Sequence, residues 1–561
     1  MKPCIQFMSI LIHCCIYGVL IVSSSFSAEK NRVYETNRAY KTGDWITYGV
    51  NRFVRHIDIG EPYVYFATTG GITRINMFNH RWDFPWTKSN GLASDDILLV
   101  AKDKNSGYLW AVSDVGVSYQ EPANERWFNL YYDEMNLQRD RITSFGIGEN
   151  YQVFFVTAEN RWFASSNTAI NFSEIDAHFD DRFIEWHGDL APSSGTLPYF
   201  FMDGGYLFNE HRRYIDDLDF RHWQITDWLR DGCNNLWIAT WGLGIGVGDL
   251  NTYRMEMIPY GLWSEAVDAI AEDEDIFWCG GVQSGNEAEG ATGWDEKSGW
   301  ASYYEPHLIY GFDNAEITSI AADERFVLFG TSAGLTVFDK HKNHWRTYTV
   351  ANRLANDQVH QVVMDHNDIW IATAGGVSRL GLEALTGDSL NFRTIQFPSL
   401  RLVNVYDLAV QENLLWLATE FGIYVYDKLL DSGGYYKGNE GPFDRPVYAV
   451  SVWQDEVWFG AEDGIYAIDS KTKQWLIPPA EKYVTKVGIN RILASRSVVW
   501  VATNQGLLKY DRAGQRWIIF TQEDGLDDDR VYSLLLEGDY LYLGGPTGLT
   551  RFYWNAPYRI D

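Results

Sequence analysis

Apolar residues along this chain fall in runs of four to six, rich in Val, Ile, Trp, Tyr and Phe, and each run is bounded by Gly, Asn or Asp. Runs this short, with β-branched and aromatic content, predict strands joined by tight turns rather than helices. An apolar anchor recurs twelve times, at Tyr65, Trp110, Phe154, Tyr199, Trp237, Trp278, Leu328, Trp370, Trp416, Trp458, Trp500 and Tyr542. The steps between anchors run from 38 to 50 residues, the length of four short strands with their turns. In several copies a second aromatic follows seventeen residues later, as in Trp110/Trp127, Leu328/Trp345 and Trp500/Trp517.

This pattern predicts an all-β fold, a β-propeller of about twelve four-stranded blades. Strings such as Trp370-Ile371-Ala372-Thr373 run large, then small, which suits strands crowded toward an axis while aromatics fill the space between sheets. Single rings ordinarily hold about four to eight blades, so two propellers are expected, as five plus seven or six plus six. The last copy stops after three strands, and Asp44-Trp45-Ile46-Thr47-Tyr48 matches the missing outer strand, as a comparison with His344-Trp345-Arg346-Thr347-Tyr348 shows. An N-terminal strand closing the last blade removes an exposed sheet edge and ties the two ends together. The expected division is a signal peptide at 1–28, a linker at 29–43, the N-terminal part of a first propeller at 44–224, a second propeller at 225–530, and at 531–561 a last blade returning to the first propeller.

Composition adds a compartment. Aromatics reach 16 %, with 49 Gly and 15 Pro to supply turns, as an all-β secreted protein requires. Met1-Lys2, an apolar stretch from Ile5 to Val22 and small residues up to Ala28 have the form of a secretory signal peptide, with an uncleaved anchor as the alternative. The expected location is therefore periplasmic, cell-surface or secreted, with no membrane span once the signal is removed. A net charge of −29 disfavours nucleic acid as a partner. Only Cys233 and Cys279 lie outside the N-terminal segment, at non-equivalent places in adjacent repeats, so a disulfide between them is left open.

The string "apolar-x-x-apolar, x-x-x-Asp, x-x-x-Leu-Trp-apolar-(Ala/Gly)-Thr, x-x-Gly-apolar", followed by an Asp, a further Trp and Gly-Leu, is seen in Val359 to Leu380, Val405 to Asp427, Val447 to Trp475 and Asn490 to Leu526. It resembles the two-component regulator propeller repeat. That resemblance implies an extracytoplasmic ligand-sensing propeller of the kind found in bacterial hybrid sensor kinases and in free-standing surface proteins. With residue 561 closing the last repeat, no kinase module is expected here, and binding rather than direct signalling is the implied role.

Candidate chemistry lies in the loops. Propeller sites sit at the axis, on the face carrying the loops between second and third strands and between consecutive blades. On that face the candidate ligand-binding residues are Trp241, Phe421, Glu462, Asp463, Asp114 and Asn504. Carboxylates and aromatics there would suit a glycan, a peptide or a cell-envelope protein as partner; no cofactor is expected beyond Ca²⁺ as an option. Asp95, Asp140, Asp357 and Asp529 recur at one position in four repeats, which reads as turn chemistry rather than ligand binding. Residues 282–293 enlarge one loop, and 173–223 carries two echoing segments, read as extended hairpins between third and fourth strands, with His178, Asp180, Asp181, Asp219 and His222 as weak metal candidates. No zinc motif, nucleophile elbow or phosphate loop is found. The reading is a binding protein; the alternative is a propeller enzyme, a polysaccharide lyase or hydrolase using paired carboxylates.

Overall fold

The computed structural model describes residues 40–559, apart from 124, 136, 138–139, 149–151, 167–170, 177–182, 193–194, 282–289, 313–314, 387–391, 395–401, 438–443 and 478–486. The described chain is built from strands and short 3-10 turns arranged in eleven sheets, and the fold is a β-propeller. Eleven of the twelve anchors are buried on strands. The exception is Tyr199, which is 45 % exposed and lies outside any strand. Its copy builds no blade because the run that would be its inner strand, Ile184–Gly188, pairs instead beside Ile142–Gly148 of the preceding sheet. Phe201–Met202, which follows, adds in parallel to the outer strand Arg254–Ile258 of the next sheet.

Seven sheets close into one ring. Their inner strands, Ala269–Asp273, Ile317–Ala322, Val359–Asp365, Val405–Gln411, Val447–Trp453, Ile489–Ala494 and Ser533–Glu537, pack side by side in that order, and the last packs back on the first. The seventh blade takes its outer strand from the other end of the chain: Trp45–Tyr48 pairs antiparallel with Gly548–Tyr553. Trp45 stacks on Phe552 at 3.7 Å between ring centres, and buried Asp44 pairs with Arg559 at 2.9 Å. The expected N-terminal closing strand is thus present.

The remaining four sheets occupy 54–258, so the smaller unit is the insertion, placed between the outer strand of blade seven and the inner strand of blade one. This differs from the expected division. The chain re-enters the large ring after Ile258, not at 225, and 531–561 belongs with the blades that precede it. Repeat spacing identifies blades but is silent on which blades are neighbours, so it does not place the boundary between the two units. The two echoing segments also differ from hairpins between third and fourth strands: Ile184–Gly188 and Tyr214–Asp216 both add at inner edges of their sheets.

Two local devices recur. In the Thr-x-x-Gly turns the threonine hydroxyl donates to the glycine carbonyl, at 2.8 Å from Thr373 to Gly376 and 2.7 Å from Thr419 to Gly422. Glycine is required there: Gly334 has φ +130°, and a Cβ on it would lie 2.3 Å from the Tyr348 carbonyl oxygen. Between blades, an inner-strand side chain pins the next inner strand. Val450 N–H donates to Asp407 at 3.0 Å, Val362 N–H to Ser319 at 3.0 Å, and Ile57 N–H to Asp227 at 2.9 Å. Three of the four recurrent Asp residues share one turn bond: Asp95, Asp357 and Asp529 accept from the backbone N–H of Lys88, Val350 and Gln522, at 2.7, 2.6 and 2.9 Å, whereas Asp140 accepts from Glu159 N–H at 3.1 Å.

The two units meet over a packed junction. Arg52, buried, lies between the rings of Phe53 and Trp263 at 4.3 and 4.0 Å, and its carbonyl accepts from Gly242 and Gly244. Trp82 of the four-sheet unit stacks on Tyr260 at 4.1 Å.

Candidate functional site

At or just before the start of each inner strand of the large ring an apolar residue faces the packed sheets: Val267, Ile317, Val359, Val405, Val447, Ile489 and Val531 are all buried. Side chains alternate along a strand, so the next position faces the axis. That position reads Asp268, Thr318, His360, Tyr406, Tyr448, Asn490 and Tyr532 around the ring, all half-buried. These residues line a 260 Å³ mouth that opens above an axial cavity of about 370 Å³ walled by all seven blades.

One arc of the mouth is aromatic. His360 and Tyr406 lie 6.0 Å apart and Tyr406 and Tyr448 5.2 Å, by ring centres. Burial pushes the His360 imidazole down, with Arg491 adding to the fall, so this ring favours its neutral form. Burial likewise raises the phenol of Tyr406, with Tyr448 and Glu420 contributing, and that of Tyr532, with Asp268 contributing. The mouth therefore offers neutral rings and hydroxyls at ordinary pH. Next to the arc, on the blade after Tyr448, Asn490 Nδ2 donates to the Val531 carbonyl at 2.6 Å and to Asn504 Oδ1 at 2.9 Å.

Arg491 spans the cavity just below. Its Nη2 donates to the Thr318 carbonyl at 3.4 Å and its Nη1 lies 3.5 Å from Asp407 Oδ1. Burial raises the Asp407 carboxyl, and Arg491 is the first influence opposing that rise. Asp407 also accepts from its own strand at Leu408 N–H, 2.9 Å, besides the Val450 pin. This carboxylate is committed to holding blades together.

The loop residues named from sequence divide between the units. Phe421, Glu462, Asp463 and Asn504 are on second hairpins of the large ring, whereas Trp241 and Asp114 are on those of the four-sheet unit. Asn504 supports the mouth through Asn490, and Phe421 stands exposed beside Glu420. Asp463 is held by Arg445 at 2.9 Å and by the Tyr466 hydroxyl at 2.7 Å, while Glu462 is exposed next to it. Asp114 accepts from the Ser94 hydroxyl at 2.6 Å. Trp241 packs against Phe53 at 5.1 Å with the Arg55 guanidinium over its face.

In the four-sheet unit two buried histidines lie between inner strands. His56 and His187 meet there at 5.3 Å, with Asp227 3.9 Å from His56. Burial, reinforced by His187, pushes His56 down to about 3, and burial pushes Asp227 up to about 6 against its backbone hydrogen bonds. Among the described residues no group of three or more His, Cys, Asp and Glu side chains is placed to hold a metal ion. His178, Asp180 and Asp181 lie outside the described residues, as does 282–289 of the enlarged loop; His222 contacts Asp216. Cys233 is exposed, Cys279 buried, and both are free thiols.

What sequence reasoning missed is the axial column itself. Its signal was available: the residue after the first apolar position of each inner strand varies in type, where its neighbours repeat.

No protein-family model matches the chain, and no curated protein matches it. Among solved structures it is similar to the extracellular domain of a putative hybrid two component system from B. thetaiotaomicron, at 15 % identity and TM-score 0.43 over 90 % of this chain and 70 % of that one. It is also similar to PorZ, a bacterial surface component of the type-IX secretion system of Porphyromonas gingivalis, at 16 % identity and TM-score 0.45 over 89 % and 74 %. The computationally designed Ika8 protein matches at 16 % identity and TM-score 0.39, over 59 % of this chain and 96 % of that one. Among the described residues no helix is long and apolar enough to cross a membrane.

Proposed function

We propose that this protein is an extracytoplasmic propeller whose large ring binds a glycan at its axial mouth. The observation that carries the reading is the arc His360, Tyr406 and Tyr448, three adjacent blades presenting half-buried rings 5.2 to 6.0 Å apart above an axial cavity. Sugar rings have apolar faces that stack on aromatics and hydroxyls that take up hydrogen bonds, and Asn490, Thr318, Asp268 and the tyrosine hydroxyls supply those partners. The signal-like N-terminal sequence supports the compartment.

Asp407 is tied to Arg491 and two backbone N–H groups, which argues against its use as one of a pair of hydrolytic carboxylates and favours binding over turnover. The test is a glycan-array screen of the full chain followed by calorimetric titration of the best hit. Tyr406→Ala and Tyr448→Ala are each expected to weaken binding by roughly tenfold. Unchanged affinity in the double variant, or hits confined to peptides in a parallel peptide screen, would overturn the assignment.

A further inference from the structure

A second cavity, of about 440 Å³, lies where the four-sheet unit meets blade one of the large ring, away from the axial mouth. That volume is within the roughly 300–1,000 Å³ of small-ligand sites, which favour domain interfaces. Its walls are aromatic: Tyr206 and Trp223 from the smaller unit, Trp263 and Tyr303 from the junction and the ring. Trp223 is held in place, its Nε1–H donating to Asp217 at 2.9 Å. Its ring fills the space a side chain at 242 would need, since Gly242 has φ +123° and a Cβ there would lie 2.1 Å from the indole. Trp263 and Tyr303 pack at 5.5 Å. Leu218 and Leu308 line the same cleft and are exposed, giving it an apolar rim.

The charge in the cleft is one-sided. Asp203, Asp217, Asp219, Glu256 and Glu305 line it against Arg221 alone. Arg221 is already matched, donating from Nε to Asp217 at 2.6 Å and from both Nη atoms to Glu305 at 2.8 and 3.2 Å. Asp203 is paired with Arg254. Asp219 and Glu256 are exposed, and no ion pair among the described residues neutralises them. Two of the protein's own cations already lie over these walls, Arg52 over Trp263 at 4.0 Å and Arg221 over Trp223 at 5.0 Å. Aromatic faces and uncompensated carboxylates both attract positive charge and repel anions.

We infer that this cleft binds an organic cation, an ammonium or guanidinium group carried on an apolar body. The body lies against Leu218, Leu308 and the aromatic walls, and the charge faces Asp219 and Glu256. The full-length chain is titrated with n-hexyltrimethylammonium, n-hexyl sulfate and n-hexanol, followed by tryptophan fluorescence. Binding of the ammonium about tenfold tighter than that of the sulfate is expected. The Asp219→Asn/Glu256→Gln double variant, which alters only exposed side chains, is expected to lose about three- to tenfold in ammonium affinity with its thermal transition unchanged. Tyr448→Ala, at the axial mouth, is expected to leave ammonium binding as it was. An acetyl-Leu-Lys-Leu-amide arm separates the sources of the cation: tighter binding of the peptide assigns it to a polypeptide side chain, tighter binding of the ammonium to a free small molecule. Equal affinity for the ammonium and the sulfate, wild-type ammonium affinity in the double variant, or loss of ammonium binding in Tyr448→Ala would overturn the inference.

Discussion

Replacing Arg491 by Met would remove the guanidinium that spans the axial cavity while keeping most of its apolar stem. The consequence falls on Asp407, which is 4 % exposed and faces Arg491 at 3.5 Å. Breaking a buried ion pair from one side costs about 3–5 kcal/mol, because it strands the other charge. Two backbone N–H groups still reach Asp407, and the Arg491 side chain keeps 21 % of its surface open to the cavity, so the expected loss is below that range, about 2–3 kcal/mol at pH 7.5. The pH dependence has a definite sign. Burial raises the Asp407 carboxyl and Arg491 opposes the rise, so the variant carboxyl titrates higher still. A carboxyl that binds its proton more tightly folded than unfolded destabilises the fold as pH climbs above the ordinary carboxylate value of about 4. The deficit should therefore be small at pH 4.5 and full at pH 7.5. Urea unfolding of both proteins at the two pH values measures it, and Asp407→Asn added to Arg491→Met should recover most of the loss. A deficit under about 1 kcal/mol at pH 7.5, the range of exposed pairs, would refute the reasoning. So would a deficit equal at both pH values, or no recovery in the double variant.

Trp45→Ala tests ring closure: the indole is buried on Phe552, and its removal should cost about 3–5 kcal/mol in thermal or urea unfolding, while a cost under about 1 kcal/mol would mean this strand does not close the ring. Asp527→Asn tests the contact between the units. Burial and the facing Asp527 push the Asp95 carboxyl up to about 8, with Lys88 within 4.0 Å of both, so wild-type stability should fall as pH rises from about 4 toward 8. The variant should lose less stability between pH 5 and pH 8 by calorimetry; identical pH slopes would exclude the pair as the cause. The axial-mouth and cleft substitutions described above complete the set.

Most of the scaffold was legible because each blade depends on local patterning. Trp370, Trp416, Trp458 and Trp500 are fully buried where the repeat puts them, and the Thr-x-x-Gly string is a turn whose glycine must take a positive φ. Asp95, Asp357 and Asp529 were readable as turn residues because one position recurring in several repeats serves the repeat rather than a ligand. The candidate site was legible only to the level of a face. Loop tips such as Phe421 and Glu462 drew notice, whereas Tyr406, Tyr448 and Arg491 sit inside strands and look like ordinary strand residues until seven of them are brought around one axis.

The amino-acid sequence by itself determined the strands and their turns, since each depends on side-chain alternation and backbone geometry within a few tens of residues, and it showed the pairing of the two ends because the last repeat lacks the outer strand that Asp44 to Tyr48 matches. Only the tertiary structure decided that seven blades close one ring, that residues 54–258 are the insertion, and that the Tyr199 copy builds no blade. Those outcomes depend on which inner strands pack side by side. Packing between blades is a contact between distant segments with nearly interchangeable apolar faces, and a repeating pattern carries no label for its neighbour.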